Sequence, residues 1–228
     1  MGAELWQWWA HSDAGLATRI ALGAAVFAGL ALWELRRRGR QARRWREYLF
    51  LLTAVAGAMA YGTLNDQLTV TISWEYFLYG KELVNVLGGD APPAEGPLRW
   101  EAAKIGMKAT WTAGLLLGAA MLTANSIPKK IPPLPLRQLY GLLAAALLPT
   151  VCLAALGGLA GRLGWLTALG GFREMAAAEL WRPTRFMCVW GIHLGGYVGG
   201  LVGAVTATVR IVRRRRGTAG NGPSDNKG

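Results

Sequence analysis

The sequence predicts an all-α integral membrane protein with five transmembrane helices, the N-terminus outside and the C-terminus in the cytoplasm. Three observations carry that reading. Several apolar runs reach about 18 residues or more, enough for a helix to cross the hydrocarbon layer. The basic residues, 25 lysines and arginines against 13 acids, sit in clusters directly against those runs, as in cytoplasmic loops. And 31 glycines include a stripe inside the last run, the composition of closely packed membrane helices. The net charge of +12 invites a nucleic-acid reading, but its placement fits membrane topology better. The expected partners are therefore the lipid bilayer and, at Arg36–Arg46 and Arg213–Arg216, anionic headgroups; no nucleic acid is expected.

In chain order, Trp6, Trp8 and Trp9 read as an interfacial anchor, with His11 beside them. Span one covers about Gly15 to Leu35. It ends at Arg36, Arg37, Arg38, Arg40, Arg43, Arg44 and Arg46, a cluster that stops transfer and stays in the cytoplasm. Span two, about Tyr48 to Leu64, returns outward. From Thr69 to Tyr76, Thr, Ser and Glu alternate with Val70, Ile72, Trp74 and Tyr76. This period of two predicts a short extended or re-entrant piece, although Asp66, Thr69, Ser73 and Tyr76 also share one helical face. A helix from about Trp74 to Leu87 follows, closed by Gly88-Gly89.

Span three begins after Pro97, a good helix-start residue, and runs to about Ala124. The proline-rich connector SIPKKIPPLPLRQ reads as a stiff cytoplasmic loop. Span four covers about Leu139 to Ala160, with Pro149 predicting a kink. The loop after it contains a candidate surface helix between Trp165 and Trp181. Span five runs from about Phe186 to Val209, with Gly191, Gly195, Gly199 and Gly203 on one stripe. The stripe predicts close helix packing, with a partner in the same chain or in a second copy as a homo-oligomer. Residues 1–216 form a single transmembrane domain, and 217–228 a disordered cytoplasmic tail. Cys152 and Cys188 read as packing residues, and no metal-ligand spacing occurs.

The polar chemistry concentrates after span two. Residues 62–104 hold six acids (Asp66, Glu75, Glu82, Asp90, Glu95, Glu101) against three bases (Lys81, Arg99, Lys104). Polar and ionisable groups near hydrocarbon are costly unless they satisfy one another, so their concentration marks a site. The candidates are Tyr61, Asn65, Asp66, Gln67, Thr69, Glu75, Tyr76, Lys81, Glu82, Lys108, His193 and Tyr197. Lys108 reaches the apolar part of span three and is expected to pair with Asp66 or Glu75.

Tyr61, Gly62, Asp66, Gln67, Thr69, Ile72, Glu75, Tyr76, Phe77 and Gly80 form the pattern YGxxxDQxTxxIxxEYFxxG. It resembles a segment of uncharacterised bacterial multi-pass membrane proteins. There the residue before the Asp is often His; here it is Asn65. The resemblance implies a bacterial cytoplasmic (inner) membrane; it brings no activity with it and leaves the cofactor unknown. On the residues alone, the leading reading is an acid-rich site at the outer face that binds a small ligand, lipid headgroup or partner. A transporter or proton pathway through Asp66, Glu75, Lys108 and His193 is one alternative. A lipid or cell-envelope enzyme using an Asp66/Glu75 pair is another. A purely structural role for these groups stands beside all three.

Overall fold

The computed structural model describes residues 12–39, 42, 44–88, 92–168 and 180–220. These residues are helical without strands. Helix α1 spans Asp13–Arg38, α2 Trp45–Ile72, α3 Glu95–Ser126, α4 Leu136–Ala145, α5 Leu147–Arg162 and α6 Pro183–Gly220. With α4 and α5 forming one broken span, five helical segments among the described residues are long and apolar enough to cross a membrane. This is the build of a multi-pass membrane protein. The anchor residues Trp6, Trp8, Trp9 and His11 and most of the candidate surface helix before Trp181 lie outside the described residues.

Ser12 caps α1 by accepting from the Gly15 amide at 2.8 Å, and Asp13 sits in the first turn, where the helix dipole favours an acid. Glu34, buried near the far end of α1, accepts from the backbone amides of Arg44 and Trp45 at 3.1 Å each. That carboxylate thereby caps α2 across the arginine-rich turn. The break between α4 and α5 falls at Ala146, whose amide is shared between the carbonyls of Leu142 and Leu143 at 3.0 and 3.2 Å. Pro149 has no amide for the Ala145 carbonyl, which ends the regular ladder there.

The tail expectation is corrected at its start: α6 stays helical through Gly220, well beyond its apolar run. This extension contains Arg215. Its side chain is 2% exposed and donates to the carbonyls of Ala124, Ile127, Pro128, Ile131 and Pro132. One guanidinium thus satisfies one oxygen of the last turn of α3 and four of the proline-rich connector, which Asn125 braces through paired bonds to the Leu134 backbone at 2.8 and 3.0 Å. Arg215 is therefore turned away from any lipid headgroup, whereas Arg213, Arg214 and Arg216 are exposed.

Two helix pairs make the bundle. In the first, α6 lies against α4–α5. A Cβ on Gly199 would come 2.5 Å from the Pro149 oxygen. Cβ atoms on Gly191, Gly195 and Gly203 would come closer still to the oxygens of Gly157, Leu153 and Ala146. The partner of the glycine stripe is thus in the same chain. In the second pair, α2 meets α3: a Cβ on Gly106 would lie 2.5 Å from the Gly62 oxygen, and one on Gly114 2.5 Å from the Ala54 oxygen. Buried side chains fill the two ends. Phe77, Leu78, Leu98, Phe186 and Val189 pack at one end, and Phe50, Met121, Leu139, Ala207 and Ile211 at the other.

Gly195→Leu should lower the stability of the detergent-extracted protein by about 2–3 kcal/mol through overpacking. Gly196→Ala, with its Cβ facing only the Tyr61 hydroxyl at 3.3 Å and the Ala154 side chain, should be near neutral; equal losses in thermal unfolding would refute the packing assignment. Arg215→Ala should cost about 3 kcal/mol, because buried carbonyls lose their donor. Arg215→Lys should recover only part of that, since an ammonium lacks the planar fork. Arg214→Ala should stay within about 0.5 kcal/mol of the parent, and an equal loss at 214 and 215 would show that the clamp has no special weight.

Candidate functional site

The Thr69–Tyr76 segment is not extended. α2 continues through Ile72, and of this stretch Ser73 alone takes an extended backbone, φ −148° and ψ 105°. Thr69 follows the helical rule, its hydroxyl donating to the Asn65 carbonyl at 2.8 Å. Asp66, Thr69, Ser73 and Tyr76 are all buried, as the helical-face reading requires. Beyond Ser73 the chain widens into a π-helical turn, Tyr76–Gly80, closed by the Lys81 amide on the Tyr76 carbonyl at 3.0 Å. The expected helix to Leu87 is interrupted at Glu82, which holds φ +58°, leaving one helical turn, Val84–Leu87. Positive φ is uncommon outside glycine, and the Glu82 side chain is exposed.

The wide turn swings Tyr76 under α6. Its ring stacks on the His193 imidazole with centroids 4.9 Å apart and planes 13° from parallel. Phe77 meets the same imidazole edge-on, and Lys81 Nζ lies 5.6 Å from the Tyr76 ring centre. From α2, Asp66 faces His193, with Oδ1 3.7 Å from Nε2. That gap exceeds a hydrogen bond. Asp66 accepts a long bond from Asn65 at 3.4 Å, while His193 Nε2 is buried with no hydrogen-bond partner among the described residues. Most buried polar atoms find a partner, so this one points to a ligand position.

These groups form the head of a cleft of about 440 Å³ between the two helix pairs. Tyr61, Asn65, Asp66, Lys81, His193 and Tyr197 lie at its polar end, and Ala113, Leu117, Ala120, Leu147, Leu201 and Ala204 continue it into the apolar part of the bundle. The second glycine row of α6, Gly196 and Gly200, forms part of its wall. Gly200 has no atom closer than 4.0 Å to an added Cβ. One row of α6 glycines thus closes a helix interface, and the other holds a space open.

Several candidates are placed elsewhere. Lys108 pairs with Asp13 at 2.5 Å, not with Asp66 or Glu75, and Lys104 joins Asp13 and Glu101 at 2.6 and 2.8 Å. The N-terminus of α1 packs beside α3, a lateral neighbour that spacing along the chain does not encode. Glu75 is buried and accepts from the backbone amides of Trp181 at 2.6 Å and Arg182 at 3.1 Å. It caps the start of α6 and anchors the incoming loop. Gln67 bonds the Arg99 carbonyl at 2.8 Å, tying α2 to α3. Thr69 is spent within its own helix. Thr150 and Thr110 line the cleft without having been singled out by sequence; threonines in an apolar run give little signal.

Among the described residues no three His, Cys, Asp or Glu side chains gather closely enough to hold a metal ion. What the head offers is a carboxylate, an imidazole, an ammonium, an amide and two phenols. Together these can bind and orient a polar group through hydrogen bonds. Comparison of the chain with family models, curated proteins and solved structures finds no match.

Proposed function

We propose that the protein is a multi-pass binding protein of the bacterial inner membrane whose polar site takes a small ligand at the outer face. The carrying observation is the cleft, headed by Asp66, Lys81 and His193 and flanked at its opening by lipid-side residues. Leu116, Leu201 and Tyr197 line it while remaining 70%, 67% and 56% exposed, so a ligand can enter sideways from the bilayer. Pockets of this size commonly hold one small molecule, with a few polar groups fixing its orientation.

The transport reading has less support. Past Thr110 the cleft lining carries no ionisable side chain, so no relay continues toward the arginine-rich end. The acid–base reading loses its second carboxylate, because Glu75 is committed to the amides of Trp181 and Arg182. Orientation follows from charge: Arg36, Arg37, Arg38, Arg44 and Arg46 are exposed and, with Arg213, Arg214 and Arg216, face the cytoplasm and its anionic lipids.

Orientation is checked by labelling single cysteines in a Cys152→Ser, Cys188→Ser background. In intact cells an impermeant maleimide should label Pro92→Cys and spare Arg40→Cys, Lys130→Cys and Gly220→Cys; labelling at 40 reverses the topology. For binding, native mass spectra of the full chain in mild detergent should show one non-covalent organic adduct per chain. Gly200→Phe fills the cleft from an open position and should remove the adduct while unfolding within a few degrees of the parent. An adduct unaffected by that substitution places the ligand elsewhere.

A further inference from the structure

The arrangement of polarity inside the cleft specifies a ligand class. We propose that the cleft takes a single-chain amphiphile with an uncharged hydroxyl head, the chain along the apolar wall and the hydroxyl between Asp66 and His193. The inference rests on the reading of the cleft as a binding site and narrows it.

The polar groups gather at one end, and the remaining lining is alanine, leucine, isoleucine, glycine and threonine. That gradient matches a molecule with one polar terminus. A space of about 440 Å³ lies in the range for one small ligand, which favours one chain over the two of a phospholipid. The lateral opening past Leu116 and Leu201 lets the chain arrive from the acyl layer without crossing water.

The choice of head follows from donor and acceptor arithmetic. Asp66 Oδ1 and His193 Nε2 are 3.7 Å apart, too far to bond each other and close enough to share one oxygen. A hydroxyl donates once and accepts twice. With the imidazole proton on Nε2 it can donate to the carboxylate and accept from Nε2–H, and so serves both groups at once. A carboxylate or phosphate head would meet the Asp66 charge with one cation, Lys81, in the lining. An ammonium would satisfy Asp66 but accepts nothing from His193 and meets Lys81. The ring stack on Tyr76 and the edge of Phe77 hold the imidazole plane before the ligand arrives, which lowers the ordering cost of binding.

The test uses hexadecanol carrying a photoreactive diazirine near the chain terminus, with the full chain in nanodiscs. Peptide mapping should place the crosslinks on α3 and α6 around Leu116, Leu117 and Leu201. Unlabelled hexadecanol should compete about tenfold better than hexadecanoate, hexadecyl phosphate or hexadecylamine, the difference expected for a hydrogen-bonded pair lost or opposed. His193→Phe should reduce that preference about tenfold, and Gly200→Phe should abolish crosslinking while leaving the unfolding temperature near that of the parent. Cleft labelling with a charged competitor preferred overturns the hydroxyl assignment and leaves the binding site standing. Failure of every amphiphile to label the cleft, or labelling unchanged by Gly200→Phe, overturns both.

Discussion

Helices in a bilayer gain little from hydrophobic association, because lipid tails are as apolar as leucine; close backbone approach has to hold them instead. Here that approach is made twice, by α6 on α4–α5 and by α2 on α3, at positions where a single added carbon would strike a carbonyl oxygen. Everything else in the fold is arranged around those two seams. The pairs meet each other through the aromatic cluster around Phe77 and Phe186 at one end and through Phe50, Met121 and Ile211 at the other. Between these plugs the contact is incomplete, and the cleft is what the incomplete contact leaves.

The polar groups divide by the same logic. Glu34, Glu75 and Arg215 are buried, and each spends its charge on backbone atoms at a chain reversal: two amides, two amides and five carbonyls. A charged side chain makes strong bonds to such groups, and the reversals are where helices leave them unpaired. Asp66 and His193 differ because no chain end needs them. They face a space, and their bonding capacity is only partly used inside the protein.

Five spans were legible in the sequence because run length and flanking charge act locally. The α2 extension to Ile72 was harder: Val70, Ile72 and Trp74 alternate as in a strand, while Asp66, Thr69 and Ser73 carry the competing helical period. The helix forms because a segment beside lipid cannot leave its backbone unpaired. Asp66, Lys81, His193 and Tyr197 were recognisable as polar groups near hydrocarbon, and the cleft does bring them together. The partners of Lys108 and Glu75 were not recognisable, since Asp13 and the Trp181 amide reach them across the bundle. Arg215 is hidden among four consecutive arginines, and nothing local marks which one turns inward.

Helix α1 stands apart from the seams, with most of its large apolar side chains exposed. Its polar ties lie near its two ends, Asp13 to Lys104 and Lys108, and Glu34 to the Arg44 and Trp45 amides. Along a helix rising 1.5 Å per residue these anchors are about 32 Å apart, close to the hydrocarbon thickness of a bilayer. The two ties thus hold a length of helix that matches one bilayer. In a thicker or thinner membrane that length no longer matches, and the mismatch loads the two charged ties before it reaches the glycine seams.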